Sequence, residues 1–193
     1  MKKSKELKRC HWANSSEMMA EYHDSEWGVP VRNDRKHFEF LILEGAQAGL
    51  SWATILKRRK GYAKAFANFD PKKVSKFTKV KINSLLKDPG IIRNRLKIES
   101  AVHNAKLFLD VQKEFGSFDA YAWQFVGGKQ VRNKNRDLGD FRATSVQSDA
   151  FSKDLKKRGF KFVGSTVIYA HMQAVGMVND HLISCFRYKQ CSF

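Results

Sequence analysis

Lys156-Lys157-Arg158-Gly159-Phe160-Lys161-Phe162-Val163-Gly164-Ser165-Thr166 joins two predicted helices through a short loop bounded by glycines. The first helix is expected to open at Ser148 or Asp149 and to close at Arg158; the second runs from Ser165 to about Gly176. At the start of the second helix, free backbone N–H groups and the positive end of the helix dipole can receive a phosphate. Lys161, Gly164, Ser165 and Thr166 are the candidate contacts. The plainer alternative is a basic, solvated αα-hairpin.

Outward from this hairpin, helix signals dominate and strand alternation is nearly absent, so the expected class is all-α. Asp34 is the expected cap of a helix continuing to about Gly45. Ser51 caps a predicted helix from Trp52 to Arg59 that ends at Gly61, and Asp70-Pro71 starts a short one by the cap-then-proline pattern. Thr78 to Lys87 reads helical and stops at Asp88-Pro89-Gly90. Asn94 to Phe115 carries Leu96, Ala101, Ala105, Phe108 and Leu109 close to helical spacing, and Ser117 caps Phe118 to Val126 before Gly127-Gly128. The charged segment Lys129 to Val146 is expected to be a surface loop, and Asp180 to Cys185 a short terminal turn or helix. Neither repeats nor a Pro/Gly/Ser linker divide the chain, so one domain is expected.

The 193 residues include 36 Lys and Arg against 19 Asp and Glu, a formal charge of +17 that favours a polyanionic partner such as nucleic acid. A hydrophobic fraction of 42% argues against a disordered basic tail. No apolar stretch of about 18 residues is present, and the start MKKSKELKRC lacks the apolar run of a signal peptide. A soluble, cytoplasmic, monomeric protein is expected. Its three cysteines, Cys10, Cys185 and Cys191, do not make an even disulfide framework, which leaves metal ligation as the alternative.

His181 and Cys185 stand at i, i+4, a spacing that on a helix puts both side chains on one face within reach of a shared ion. Cys10 and His23 lie near the other terminus. Two thiolates and two imidazoles make a full tetrahedral zinc set with no open position for a catalytic water. Such a site would be a structural staple joining the N- and C-terminal segments. Buried thiols and solvated histidines are the alternative for the same residues.

Glu44 interrupts an otherwise apolar helical run of Phe38, Phe40, Leu41, Ile42 and Leu43, with Ala46, Ala48, Gly49 and Leu50 beyond. A buried charge without a partner is costly or shifts its pKa, so an acid here needs a reason. Trp52, eight residues on, supplies a large flat ring, and the pair can hold a flat, polar or cationic ligand. Alternatively Glu44 sits at a helix edge and Trp52 in the core.

Four ordered blocks carry a likeness to a known family: Glu21-Tyr-His-Asp-Ser-Glu-Trp-Gly-Val-Pro30, Leu43-Glu-Gly-Ala-Gln-Ala-Gly-Leu-Ser-Trp52, Gly90-Ile-Ile-Arg-Asn-Arg-Leu-Lys-Ile98, and Leu155-Lys-Lys-Arg-Gly-Phe-Lys-Phe-Val-Gly164 continued by Val178-Asn-Asp-His181. The chain resembles the 3-methyladenine DNA glycosylase I family, the Tag-type enzymes, over roughly Cys10 to Cys185. That resemblance implies a helix-hairpin-helix DNA glycosylase fold with a structural zinc ion on Cys10, His23, His181 and Cys185. It also implies a base pocket on Tyr22, Glu44 and Trp52, with Glu44 the catalytic candidate. Residues 1–193 would form one unit of two helical parts around a cleft: about 1–35 plus 140–193 with zinc and hairpin, and about 36–139 with the pocket.

The activity so implied is hydrolysis of the N-glycosidic bond of 3-methyladenine in alkylated double-stranded DNA. The free base is released and an abasic site remains, with no lyase step. Leu50 is then a candidate wedge for the gap left by the flipped nucleotide, a core leucine being the alternative. Trp12 and Trp27 read as aromatic core near the metal, with a place in the lining of the pocket as the alternative. Many relatives in the wider superfamily carry a catalytic Asp in Val-Asp-x-His; here Asn179 occupies that position on the simplest matching, with Asp180 the other candidate.

A non-enzymatic, zinc-stabilised DNA-binding protein would also account for charge and hairpin, but it gains nothing from a buried carboxylate beside an indole. A zinc deaminase needs His-x-Glu with Pro-Cys-x-x-Cys, which is absent. A membrane-surface role needs a basic amphipathic helix with a broad apolar face, and none is clear.

Overall fold

The computed structural model describes residues 7–192, so Phe193 and the first six residues of the basic start lie outside the described residues. Helices dominate: α1 (Glu17–Ser25), α2 (Asp34–Gln47), α3 (Trp52–Leu56), α4 (Arg59–Ala65), α5 (Pro71–Val74), α6 (Lys79–Leu85), α7 (Arg95–Phe115), α8 (Phe118–Trp123), α9 (Val146–Lys157), α10 (Ser165–Ala174) and α11 (Arg187–Gln190). Two short strands, β1 (Val131–Arg132) and β2 (Val178–Asn179), pair in parallel. Side-chain caps place most helix starts. Ser16, Asn33, Ser51, Asp70, Thr78, Asn94, Ser117 and Ser145 each accept a hydrogen bond from an otherwise unpaired first-turn amide.

Several boundaries differ from the sequence expectation. Asn33, not Asp34, caps α2, because the Asp34 carboxylate accepts from the backbone N–H groups of Phe118 (2.9 Å) and Asp119 (2.8 Å) and so serves the start of α8. α9 opens at Ser145 rather than Ser148, since the two serines form a reciprocal capping box. Gly61 does not end a helix. α3 stops at Leu56, and Gly61 lies inside α4, where a Cβ would stand 2.2 Å from the Gly90 carbonyl oxygen. Its neighbour Tyr62 accepts a hydrogen bond from Ile92 N at 3.2 Å, so α4 rests directly on the turn that precedes α7.

α2 and α7 form the spine of the core. Ile98, Ala101, Val102, Ala105, Phe108 and Val111 bury one face of α7, whereas Leu96 is exposed and Leu109 half-buried. Phe38 of α2 meets Phe108 with ring centroids 5.1 Å apart, and Phe108 stacks on Phe118 at 4.2 Å. α10 lies against α2, joined by a buried contact of 3.2 Å between His37 Nδ1 and His171 Nε2; His37 Nε2 reaches Asp119 at 3.1 Å. Burial, reinforced by His37, holds His171 well below the ordinary imidazole range.

The glycine-bounded loop joins α9 to α10 as expected. Phe160 N donates to Leu155 O and Gly159 N to Lys156 O, with Gly159 at φ +94°, which is a Schellman ending. Asn104 of α7 clamps the middle of the loop, its Nδ2 donating to Lys161 O and its Oδ1 accepting from Lys161 N, both at 2.9 Å. The segment 129–146 is more than a surface loop: it contributes β1, the buried Asn135 and the first residue of α9. Among the described residues no helix is long and apolar enough to cross a membrane. Gly61→Ala is expected to destabilise the fold by at least ~1–3 kcal/mol, the usual cost of overpacking, seen as a lower urea midpoint at unchanged slope.

Candidate active site and metal centre

Cys10 precedes a short 3-10 helix, His23 sits on α1, and His181 and Cys185 follow β2. All four are buried, and their ligand atoms lie within 4.8 Å of one another. The stretch from His181 to Cys185 is a turn, not a helix, so the i, i+4 spacing reached the right pair through a different local structure. His181 Nδ1 lies 3.2 Å from His23 Nε2 and 3.7 Å from both Cys10 Sγ and Cys185 Sγ, while Cys185 Sγ lies 3.4 Å from His23 Nε2. A zinc tetrahedron with ordinary Zn–N and Zn–S lengths has edges of about 3.3–3.8 Å, so the donor set fits.

An outer layer of hydrogen bonds orients these donors. His23 Nδ1 meets Asp24 at 2.7 Å, Arg9 grips the same carboxylate, and His181 Nε2 donates to Trp27 O at 2.9 Å. Backbone N–H groups of Leu182 and Arg187 donate to the Cys10 and Cys185 sulfurs. The hydrogen bond between the thiols holds Cys185 far below its ordinary value, and with burial pushes Cys10 up.

Beside this cluster lies a cavity of about 300 Å³, lined by Trp12, Met19, Tyr22, Trp27, Glu44, Gln47, Trp52, Phe141, Ala170 and Gln173. Its size is at the lower end of small-ligand pockets. Glu44 and Trp52 therefore share one cavity with Tyr22, whose ring lies 5.4 Å from that of Trp52. Glu44 is 4% exposed, so the helix-edge alternative falls. No hydrogen-bond donor among the described residues reaches its carboxyl, and burial alone pushes its pKa up to about 8. Burial thus favours the neutral acid near neutral pH, where the sequence reading took an anion. The indole N–H of Trp52 is likewise buried without a partner.

Glu39, on the same helix, shows what a purely structural carboxylate looks like. It accepts from Arg59 Nε at 2.7 Å and lies 3.0 Å from Lys36 Nζ, and Arg59 also grips Glu26 through both terminal nitrogens. Among the described residues Glu39 has partners and Glu44 has none.

Trp12 and Trp27 pack on the metal cluster as expected, yet both also line the cavity: Trp12 lies edge-on to His23 at 5.2 Å, and Trp27 to His181 at 4.7 Å. Gln47 stands three residues after Glu44 on α2, a spacing that would have found it. Gln173, Ala170 and Phe141 carried no comparable signal. Leu50 is 40% exposed, not core, and lines a groove of about 210 Å³ that runs from Glu44 to Thr166. At the start of α10, Gly164 offers no side-chain cap, and the Ser165 hydroxyl is engaged by Asp149 and Ser148. Backbone N–H groups, exposed Thr166 and exposed Lys161 remain for an anion. Arg158 is committed to Asp154 and Glu114.

Asp180 does not line the cavity. It is 1% exposed and accepts hydrogen bonds from Asn133, Asn135, Tyr169 and Gln173. Asn179 is fully buried, accepts from His181 N and donates to Tyr188 O, so it braces a metal-ligand candidate. Cys191 is a buried free thiol.

Comparison with known proteins places the chain in a family. The methyladenine glycosylase family profile matches residues 12–188. DNA-3-methyladenine glycosylase 1 of Escherichia coli (strain K12) is 43% identical over 182 residues, covering 94% of this chain and 97% of its own. The DNA-3-methyladenine glycosylase of Haemophilus influenzae (strain ATCC 51907 / DSM 11121 / KW20 / Rd) is 45% identical over 177 residues, 92% of this chain and 96% of its own. A structure of 3-methyladenine DNA glycosylase I from Staphylococcus aureus, concerned with 3-methyladenine recognition, superimposes with a TM-score of 0.90 at 34% identity, covering 93% of this chain and 96% of that one.

Elemental analysis is expected to find about one zinc ion per chain, and Cys185→Ala to lose both the ion and melting temperature. For Glu44 the linkage sign is set by a folded pKa above the unfolded one. From about pH 4.5 to 8 the unfolded chain has released a proton that the folded chain keeps, so stability falls as pH rises through that window. Glu44→Gln removes this penalty of ~1.4 kcal/mol per pH unit. Its gain in melting temperature over the parent should therefore be larger at about pH 7.5 than at about pH 5, measured by calorimetry.

Proposed function

The chain belongs to the methyladenine glycosylase family, and from that premise we propose that it excises 3-methyladenine from alkylated DNA by hydrolysing the N-glycosidic bond, using the cavity of Glu44, Tyr22 and Trp52. The observation that carries the residue assignment is the unpartnered carboxyl of Glu44 in the same aromatic cavity as Trp52. A buried acid without a donor is a standing cost unless a ligand supplies one.

N3-methylation makes the purine cationic, so it leaves the deoxyribose as a neutral base and needs little acid assistance. The protein has to expose and select it. Damaged bases unpair more cheaply, and the flipped nucleotide enters the cavity beside Trp52, where a cation-π contribution of about 0.5–2 kcal/mol is denied to neutral adenine. Approach of the cation lowers the pKa of Glu44, whose proton leaves to solvent. The carboxylate then accepts a hydrogen bond from the exocyclic amine or another N–H edge of the base, and the Tyr22 hydroxyl adds to that polar edge. As the bonding pair moves to the departing base, the sugar acquires oxocarbenium character that the same negative charge supports through space. Water adds at C1′, loses its proton and leaves an abasic site.

Cys10, His23, His181 and Cys185 would hold zinc in a closed shell, which fits a structural role. Leu50 is the wedge that fills the gap in the stack. The backbone N–H groups at Gly164, Ser165 and Thr166, with Lys161, receive the DNA backbone without reading bases.

Incubation with methylated duplex DNA should release 3-methyladenine and leave 7-methylguanine in place. Absence of 3-methyladenine from the released bases would overturn the assignment. Glu44→Gln should lower kcat/KM roughly 10–100-fold, the value of one charged hydrogen bond; full activity would demote Glu44 to scaffold. Leu50→Ala should weaken excision from duplex DNA much more than binding of the free base, and equal effects would sink the wedge.

A further inference from the structure

The block Gly90 to Ile98 carries part of the family likeness, yet none of its residues lines the base cavity. Its role lies in what Lys97 holds. Lys97 Nζ donates to the carbonyl oxygens of Ala46 and Ala48, each at 2.7 Å. These belong to the last turn and C-cap of α2, where helix carbonyls lack partners and the negative end of the dipole sits. The chain then turns through Gly49 at φ +77° and presents Leu50.

We propose that Lys97 is a positioning residue for base extrusion: its ammonium clamps the end of α2 and so holds the Leu50 turn rigid while it is pressed into the duplex. The proposal rests on the reading of Leu50 as the wedge. A side chain driven into a base stack feels an equal push back, and here the backbone behind it is a two-residue turn with one hydrogen bond of its own, Leu50 N to Gln47 O. Two of the three ammonium donors are spent on α2, so Lys97 acts as a brace rather than a free cation.

The same helix braces the other DNA-facing element. Asn104, seven residues along α7 and therefore roughly 10 Å further on the same face, clamps Lys161, and His103 Nε2 donates to Gly159 O at 3.0 Å. α7 thus sets the separation between the wedge turn and the phosphate-binding hairpin. Only a duplex fixed by its backbone at one end and opened by the wedge at the other requires that separation to be exact; a free base does not.

The test compares Lys97→Met, which keeps the apolar stem, and Lys97→Arg, which keeps the charged donor, with and without Leu50→Ala. Lys97→Met should lower single-turnover excision from methylated duplex DNA about tenfold while leaving affinity for free 3-methyladenine within about twofold. In the Leu50→Ala background the same change should cost less than about twofold, since it acts through Leu50. Lys97→Arg should recover most of the loss. The inference is overturned if Lys97→Met excises normally, if its loss is the same with and without Leu50, or if free-base affinity falls in parallel. It is also overturned if the salt dependence of binding drops by about one ion, the mark of a lost phosphate contact. Failure of the wedge reading looks different: Leu50→Ala alone would then leave duplex excision unchanged, and the role of Lys97 would fall with it.

Discussion

The buried junction of Cys10, His23, His181 and Cys185 is the constraint on which the site depends. The N-terminal segment consists of a five-residue 3-10 helix and the nine-residue α1, too short to hold their own conformation in water. Yet this segment carries Trp12, Tyr22 and Trp27, which form one wall of the cavity. Cys10 and His23 bracket it and tie it to the turn that holds His181 and Cys185, and both tryptophans pack on the histidine rings of the cluster. Losing the junction would release the aromatic wall together with the chain end.

Two acids on one helix sit in opposite surroundings. Glu39 is neutralised by Arg59 and Lys36, in a network that also captures Glu26 and binds α4 to α2. Glu44, just over one turn further along α2, meets no donor and retains its proton near neutrality. A carboxyl left in that state is a source of instability. The paired network behind Tyr22 and the stacked aromatic core supply the rigidity against which an unpaired carboxyl can be kept.

Much of the remaining polar interior serves placement. Asp180 is saturated by Asn133, Asn135, Tyr169 and Gln173, which locks the segment before α9 onto the strand that leads to His181. Its carboxylate has no lone pair directed at the cavity to spare for chemistry, and Asn179 is occupied in bracing His181. α7 plays a parallel part, gripping the end of α2 through Lys97 and the hairpin through Asn104. Both arrangements put hydrogen bonds where a loop alone would be soft.

Local chemistry made a large part of this legible in the amino-acid order: the caps at Ser51, Asp70 and Ser117, the helical stretches beginning near Thr78 and Asn94, the glycine-bounded hairpin, the acid in an apolar run, and two thiols with two imidazoles. Each of these is a property of a few neighbouring residues or of donor chemistry, so it survives without knowledge of the fold. Tertiary structure alone decided the rest. Asp34 accepts from the first amides of another helix, Gly61 makes room for a distant carbonyl, His181 and Cys185 meet on a turn, and Phe141 and Gln173 join Glu44 in lining one cavity. These depend on which remote groups arrive beside them, since a close approach or a shared cavity is a relation between segments that no single segment encodes.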